Sequence, residues 1–290
     1  MSGAPPAGGN ASAGAKFVPW IDRWRLEPDG APIVTAAGAL LPVRRDAAPA
    51  MLKLFLDEEE ETGATLLGWW AGDGAAFVIE ADGGAILMER ATGRRSLNEM
   101  SAAGRDHEAT DILCTVAAVL HRKRPHPPPD NLIPLQTRFR ALFARASDFG
   151  GILPACAGHA RSLFQSPTDI RPLHGDLHHD NVLDFGDRGF LAIDPKGLTG
   201  ERAFDFANIF CNPDLADPAL RIARDAATFE HRLGQIAGRA ALDPERLLRW
   251  IAAWAGLSAT WFTEEADPRA AIPLEIAELA LARLQGPFAA

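Results

Sequence analysis

Leu173-His174-Gly175-Asp176-Leu177-His178-His179-Asp180-Asn181-Val182-Leu183 is the stretch on which the reading of this 290-residue chain turns. Seven of its eleven residues are polar or glycine, set between apolar flanks, and they include three His, two Asp and one Asn. Two short apolar runs follow, Val182 to Phe185 and Phe190 to Ile193, and Asp187-Arg188-Gly189 between them predicts a small hairpin. The second run delivers Asp194. Charged groups on loops held by a rigid element are what a chemical site demands. Two chemistries compete for this one. In phosphoryl transfer, Asp176 would take the proton of a hydroxyl while orienting it for in-line attack. Asn181 and Asp194 would then hold Mg²⁺ through hard oxygen ligands, and His174 would brace the loop. A hydrolytic centre would instead gather His174, Asp176, His178 and Asp194 around Zn, Fe or Mn.

Spacing separates the two. Asp176 and Asn181 are five residues apart, and Asp194 follows Asn181 by thirteen, which resembles a protein-kinase catalytic loop followed by its strand pair and metal-binding Asp. Such an enzyme also needs a lysine for the nucleotide phosphates and a helix glutamate to hold it. Only four lysines exist, and Lys53 lies inside the apolar run Ala50-Met51-Leu52-Lys53-Leu54-Phe55, an odd place for a merely solubilising charge. A helix over Glu58 to Trp70 follows, capped by Asp57, with Ala64, Leu67 and Trp70 at helical spacing. Glu60 is the preferred partner of Lys53, and Glu61 lies one residue away.

Working outward, residues 17–90 carry short apolar or alternating runs predicting strands at Pro32 to Val34, Ala39 to Val43, Ala50 to Phe55, Ala75 to Glu80 and Ala85 to Glu89. Residues 91–290 read as mostly helical, with helices over Glu108 to Arg122, Leu135 to Asp148, Leu220 to Ala240, Pro244 to Phe262 and Pro273 to Arg283. Five prolines between Pro125 and Pro134 exclude regular helix there. Residues 1–16, rich in Gly, Ala, Pro and Ser, read as a loose tail. The expected architecture is therefore α+β, with a small mostly β N-lobe and a larger helical C-lobe.

Hydrophobic residues make up 47% and charged residues 23%, the composition of a globular protein. A net charge of −9 disfavours nucleic acid as a partner and suits a cationic small molecule. No run is long enough for a membrane span and no secretory signal is visible, so a cytoplasmic monomer or weak homodimer is expected. Cys114, Cys156 and Cys211 lack metal or disulfide spacing and read as small buried residues. No Walker A motif occurs.

The stretches Trp24-Arg25-Leu26, Met51-Leu52-Lys53-Leu54, Leu67 to Ala75, Leu87 to Gly93, Leu173 to Leu183, Ala192 to Gly197 and Glu201 to Pro213 together resemble the aminoglycoside phosphotransferase superfamily. Within it they are most similar to the streptomycin 6-kinase group, the aminoglycoside/hydroxyurea antibiotic resistance kinases, over about residues 20–265. The resemblance implies a bilobal protein-kinase-like fold and ATP- and Mg²⁺-dependent transfer to a small-molecule hydroxyl, with Asp176 as base, Asn181 and Asp194 on magnesium, and Lys53 on the phosphates. It also implies a hinge at Glu89-Arg90-Ala91 whose backbone meets adenine, with Met88 bordering that pocket, and a structural role for Asp205. Streptomycin or a related aminoglycoside is the implied substrate. Asp180, Glu201, Glu264, Glu265 and Asp267 are candidates to receive its cationic groups. A kinase of an amino alcohol or sugar and a non-catalytic nucleotide-binding protein are the alternatives. The chain departs from the nucleotide-covering G-x-G-x-x-G loop, having one glycine in Thr35-Ala36-Ala37-Gly38-Ala39-Leu40.

Overall fold

Side chains alternate faces along a strand, and that alternation explains why a lysine interrupts an apolar run. In Ala48–Phe55, residues Ala50, Leu52 and Leu54 join a buried cluster with Phe17, Trp24, Leu41, Val43 and Leu87. Met51, Lys53 and Phe55 lie on the opposite face, where Lys53 is buried. The computed structural model describes residues 14–34 and 38–286. Thr35, Ala36 and Ala37 of the expected nucleotide-covering loop lie outside the described residues, as does most of the expected tail.

The N-terminal part opens with helix α1 (Val18–Trp24) and continues through β1 (Glu27–Pro28), β2 (Ile33–Val34), β3 (Gly38–Arg45), β4 (Ala48–Phe55), α2 (Glu58–Trp70), β5 (Val78–Asp82) and β6 (Ala85–Glu89). The strands form one antiparallel sheet in the order β1-β3-β4-β6-β5, with β2 on β3. The register pairs Lys53 with Leu40 and with Ile86. The Asp57 carboxylate accepts the Glu60 N–H at 3.0 Å and starts α2 where the sequence predicts it. The strand expected from Ala75 begins only at Val78, because Ala75 and Ala76 are drawn to Ala192 by a bridge and an Ala76 N–H···O bond of 2.9 Å.

The remainder comprises α3 (Leu97–Ala102), α4 (Asp106–Leu120), β7 (Ile133–Pro134), α5 (Leu135–Arg138), α6 (Arg140–Phe149), α7 (Leu153–Gln165), β8 (Ile170–Leu173), β9 (Val182–Asp184), β10 (Phe190–Ala192), β11 (Leu198–Glu201), α8 (Ala226–Ala240), α9 (Pro244–Glu264) and α10 (Ala271–Gln285). β9 and β10 form the expected hairpin, closed by a 3₁₀ turn at Gly186–Arg188. Central α9 is buried along most of its length and packs against α10, α7 and the 3₁₀ segment Arg202–Cys211.

Two helix expectations are corrected. The helix expected over Leu135 to Asp148 divides at Phe139, which is fully buried edge-on to Phe164, Phe204 and Trp250. The helix expected from Leu220 starts six residues later, because the Asp214 carboxylate gathers the N–H groups of Ile222, Ala223 and Arg224 into a turn and Asp225 then caps α8. Helix α7, which no sequence pattern predicted, follows Gly150 and Gly151, both at positive φ. The three cysteines are buried, and burial pushes each thiol up to about 12. Among the described residues, no helix is long and apolar enough to cross a membrane.

Two glycines let α2 and the loop after β10 approach closely, Gly63 on the helix and Gly197 in the loop, where a Cβ would lie 2.5 Å from the Thr62 side chain. A Cβ at Gly63 would fall inside contact distance of the Pro195 carbonyl oxygen, whereas one at Gly68, on the same helix, would meet nothing within 4 Å. An exposed helical Gly→Ala change gains about 1 kcal/mol of propensity, while overpacking costs about 1–3 kcal/mol or more. Gly68→Ala should therefore raise the melting temperature and Gly63→Ala should lower it, as read by thermal unfolding of the two variants in parallel.

Candidate active site

β8 carries the chain into His174, whose ring is inaccessible to solvent. Its Nε2 meets the Ile193 carbonyl oxygen at 2.8 Å and its Nδ1 accepts the Asp176 N–H at 3.2 Å, a pattern that places the proton on Nε2. Burial holds the imidazole below its ordinary pKa, against the pull of Asp205 and Asp176. With both ring nitrogens committed, His174 braces the loop and has none left for a metal, so the hydrolytic centre of His174, Asp176, His178 and Asp194 is not assembled. Among the described residues, no group of three or more His, Cys, Asp or Glu side chains is placed to hold a metal ion. Buried Asp205 secures the turn from beneath, accepting from the N–H groups of His174 at 2.9 Å and Gly175 at 2.8 Å and meeting His121 Nε2 at 2.8 Å. Gly175 adopts φ +83°, and a Cβ there would lie 2.8 Å from the Leu198 side chain.

That anchoring presents Asp176. Its Oδ1 accepts from Asn208 Nδ2 at 2.7 Å, and its Oδ2 accepts from Asn181 Nδ2 at 3.1 Å, with His178 Nε2 at 3.7 Å. Burial would raise this carboxyl, but the charge and hydrogen bonding of His178, helped by Lys196 and Arg138, override it and hold the group well below the usual carboxylate range. Asn181 also donates to the Asp176 carbonyl at 2.8 Å, which turns its amide oxygen away from Asp176.

A second cluster forms where β4, α2 and the loop after β10 meet. Lys53 is ion-paired with both Glu60 and Asp194. Lys196 repeats the pattern, with its Nζ 2.8 Å from Glu60 and 3.1 Å from Asp194. The four side chains close a ring of alternating charge. Three of them are less than 10% exposed, while Asp194 keeps 26% of its side chain open. Glu60, not the exposed Glu61, faces the lysines. Burial would raise Asp194, yet Lys53 and Lys196 lower it, and the same two carboxylates raise Lys196 against its own burial. Asp194 sits at φ +59°, a left-handed conformation costing roughly 1–3 kcal/mol in a non-glycine residue. The Lys196 charge also acts on Asp176, linking the two clusters.

The link between sheet and helices is clamped on the hairpin. The Glu89 N–H donates to the Phe77 carbonyl at 2.9 Å, and its carboxylate is taken by the Phe77 N–H and Arg188. Arg90 pairs with Asp29. Gly93 donates to the Asp184 carbonyl, and the Asp184 carboxylate receives Arg95. Met88 is buried and borders the small space behind Lys53, and Ala91 is half-buried.

On the other side of Asp176 lies a pocket of about 430 Å³ whose lining includes Asp180, Asn208, Trp254, Trp261 and Glu265. The rings of Trp254 and Trp261 meet edge-on at 5.6 Å. Three of the expected substrate carboxylates lie elsewhere. Buried Glu201 is consumed by Arg246 and the Trp250 indole, Glu264 pairs with Arg145, and Asp267 starts a 3₁₀ turn and pairs with Arg269. A hollow of about 600 Å³ beside Arg23, Arg45 and Glu80 is larger, but its lining contains none of the clustered residues, and Arg23 and Arg45 are already paired there with Asp82 and Glu80.

The family model described as aminoglycoside/hydroxyurea antibiotic resistance kinase matches residues 23–266. The chain belongs to that family. It is 52% identical over 242 residues to a streptomycin 3''-kinase of Klebsiella pneumoniae, covering 83% of this chain and 90% of that one. To a streptomycin 6-kinase of Streptomyces griseus it is 33% identical over 198 residues, covering 64% and 62%. A solved ternary complex of a thermostable aminoglycoside phosphotransferase mutant with ADP and hygromycin B aligns with a TM-score of 0.60 at 12% identity, over 94% of this chain and 99% of that one. The kinase thus has the bilobal α+β, protein-kinase-like fold, and its family is one of small-molecule phosphotransferases.

Three residues that sequence reasoning did not assign help to build the kinase's site. Lys196 stands two residues after Asp194, where the protein-kinase metal motif carries Gly, and no spacing marked it as a partner of Glu60. Gly63 resembled any helical glycine until Pro195 was seen against it. Asn208 lies 32 residues from the carboxylate it binds, and nothing local marks it.

Proposed function

We propose that this kinase transfers the γ-phosphoryl group of ATP to a hydroxyl of streptomycin or a closely related aminoglycoside. The observation that carries the reading is the position of the Asp176 carboxylate, between an aromatic and acidic pocket on one side and the lysine–carboxylate ring on the other. Trp254 and Trp261 offer apolar and π surface, and Asp180 and Glu265 offer charge to ammonium or guanidinium groups. The 52% identity to a streptomycin 3''-kinase supports the 3'' hydroxyl as acceptor over the 6 position that the sequence resemblance implies.

In this reading Lys53 neutralises the α- and β-phosphates, held by Glu60. The Glu89 N–H is already bound to Phe77, so its carbonyl and the Ala91 backbone are the groups left for adenine, beside Met88. The Asn181 amide oxygen and the Asp194 carboxylate are hard donors that fit Mg²⁺, which would supply charge neutralisation on the phosphates. The acceptor oxygen attacks the γ-phosphorus, the bond to the β–γ bridging oxygen breaks, ADP leaves, and the acceptor proton passes to Asp176. A carboxylate held this far below its usual pKa is a weak base, so it orients the hydroxyl first and takes the proton late, as a loose transition state allows.

A coupled ADP-release assay over aminoglycosides, amino alcohols and sugars tests this, with NMR of the product. Streptomycin should be turned over, with phosphate appearing at the 3'' hydroxyl. ATP consumption confined to amino alcohols or sugars, or absent throughout, would overturn the assignment.

A further inference from the structure

Two carboxamides hold the Asp176 carboxylate, and only Asn181 has a place in metal binding. The other, Asn208, sits in the 3₁₀ segment Arg202–Cys211 and is 5% exposed. Its Nδ2 donates to Asp176 Oδ1 at 2.7 Å. Its Oδ1 accepts from Trp254 Nε1 at 3.0 Å and from Asn212 Nδ2 at 3.2 Å. An indole N–H can only donate and an ionised carboxylate can only accept, so the Asn208 amide can stand only one way round. Trp254 is itself a wall of the pocket into which Asp176 opens.

Building on the phosphotransferase reading above, we propose that Asn208 is a positioning residue that fixes the rotamer of the Asp176 carboxylate, and that Trp254, a wall of the acceptor pocket, fixes Asn208. The chain Trp254–Asn208–Asp176 makes the pocket that orients the acceptor and the group that receives its proton parts of one hydrogen-bonded unit. Charge-assisted bonds are the strong ones, and a carboxylate freed at Oδ1 can rotate away from the acceptor hydroxyl. Small misplacements of reacting groups are costly in rate. Nucleotide binding, which rests on Lys53, Glu60 and Asp194, is untouched by this chain.

The test is a kinetic double-mutant cycle with an indole NMR arm. Asn208→Ala should lower kcat with streptomycin about tenfold or more, equivalent to about 1.4 kcal/mol, with KM for ATP within about twofold. Trp254→Phe keeps an aromatic ring but loses the indole N–H, so kcat should fall several-fold, and the smaller side chain should lower thermal stability only modestly. In the double variant Trp254→Phe should add nothing further. Unchanged kcat in either single variant, or losses that multiply, would overturn the proposal. If Asn208→Ala fails to fold, Trp254→Phe alone decides on the same criterion. In the full-length protein the Trp254 indole N–H signal, assigned by its disappearance in Trp254→Phe, should move in Asp176→Ala and cease to respond to that change once Asn208 is Ala. A Trp254 signal indifferent to both substitutions would refute the chain whatever the substrate. Absence of turnover by the unmodified enzyme with every aminoglycoside would refute the functional reading alone.

Discussion

Asp176→Asn should reduce kcat about a thousandfold while KM for ATP stays within about twofold. A positioned general base contributes roughly 10²–10⁴ in rate, and in the proposed mechanism Asp176 also orients the nucleophile. The substitution is close to isosteric, so packing is not the variable. The hydrogen bonds are. Asp176 receives a carboxamide N–H on each oxygen, from Asn208 and from Asn181. An Asn side chain can present oxygen to only one of these donors and must turn its own NH₂ toward the other. The variant therefore loses the base and acquires one donor–donor conflict at about 3 Å. Lys53, Glu60 and Asp194 remain as they were, so ATP should still bind, as titration calorimetry with Mg·ATP would report. Turnover retained to within tenfold would remove Asp176 from the chemistry.

How much of this was legible in the sequence depended on whether the cause was local. Asp57 caps the helix it precedes through a bond three residues long, so Glu58–Trp70 could be read directly. Lys53 stood out because an apolar strand with one charge on its second face is a two-residue pattern. The polar loop at His174 to Asn181 announced itself by contrast with its flanks. What stayed hidden was set by contacts across the fold. Asp214 ends in a turn what apolar periodicity extends as helix, because its carboxylate claims three backbone N–H groups eight to ten residues on. Glu201, a candidate for the substrate's cationic groups on sequence, is instead held by Arg246 and Trp250. Gly63 and Asn208 owe their importance to Pro195 and Trp254, and no window of sequence contains both members of either pair.

The largest effect expected outside Asp176 belongs to Glu60. Both of its oxygens are engaged, one by Lys53 and one by Lys196, and its side chain is 3% exposed. Glu60→Gln leaves two buried ammonium groups with one carboxylate between them. Breaking a buried ion pair on one side costs about 3–5 kcal/mol, because the surviving charges lose their partner in a poorly solvated site. At about 2 °C per kcal/mol for a chain of this size, melting should fall by roughly 5–10 °C. The catalytic consequence has a sign of its own. With Glu60 neutral, both lysines fall back on Asp194, the carboxylate assigned here to magnesium, and the metal must compete with two cations. The Mg²⁺ concentration for half-maximal rate should rise about tenfold, which corresponds to about 1.4 kcal/mol. Lys196→Met should move it the other way, since it removes one cation from 3.1 Å of Asp194 and leaves Lys53 with Glu60. Activity measured against Mg²⁺ at saturating ATP, beside thermal unfolding, reads both effects. Shifts of the same sign in the two variants would mean that the ring of charge holds the fold together without governing access of the metal to Asp194.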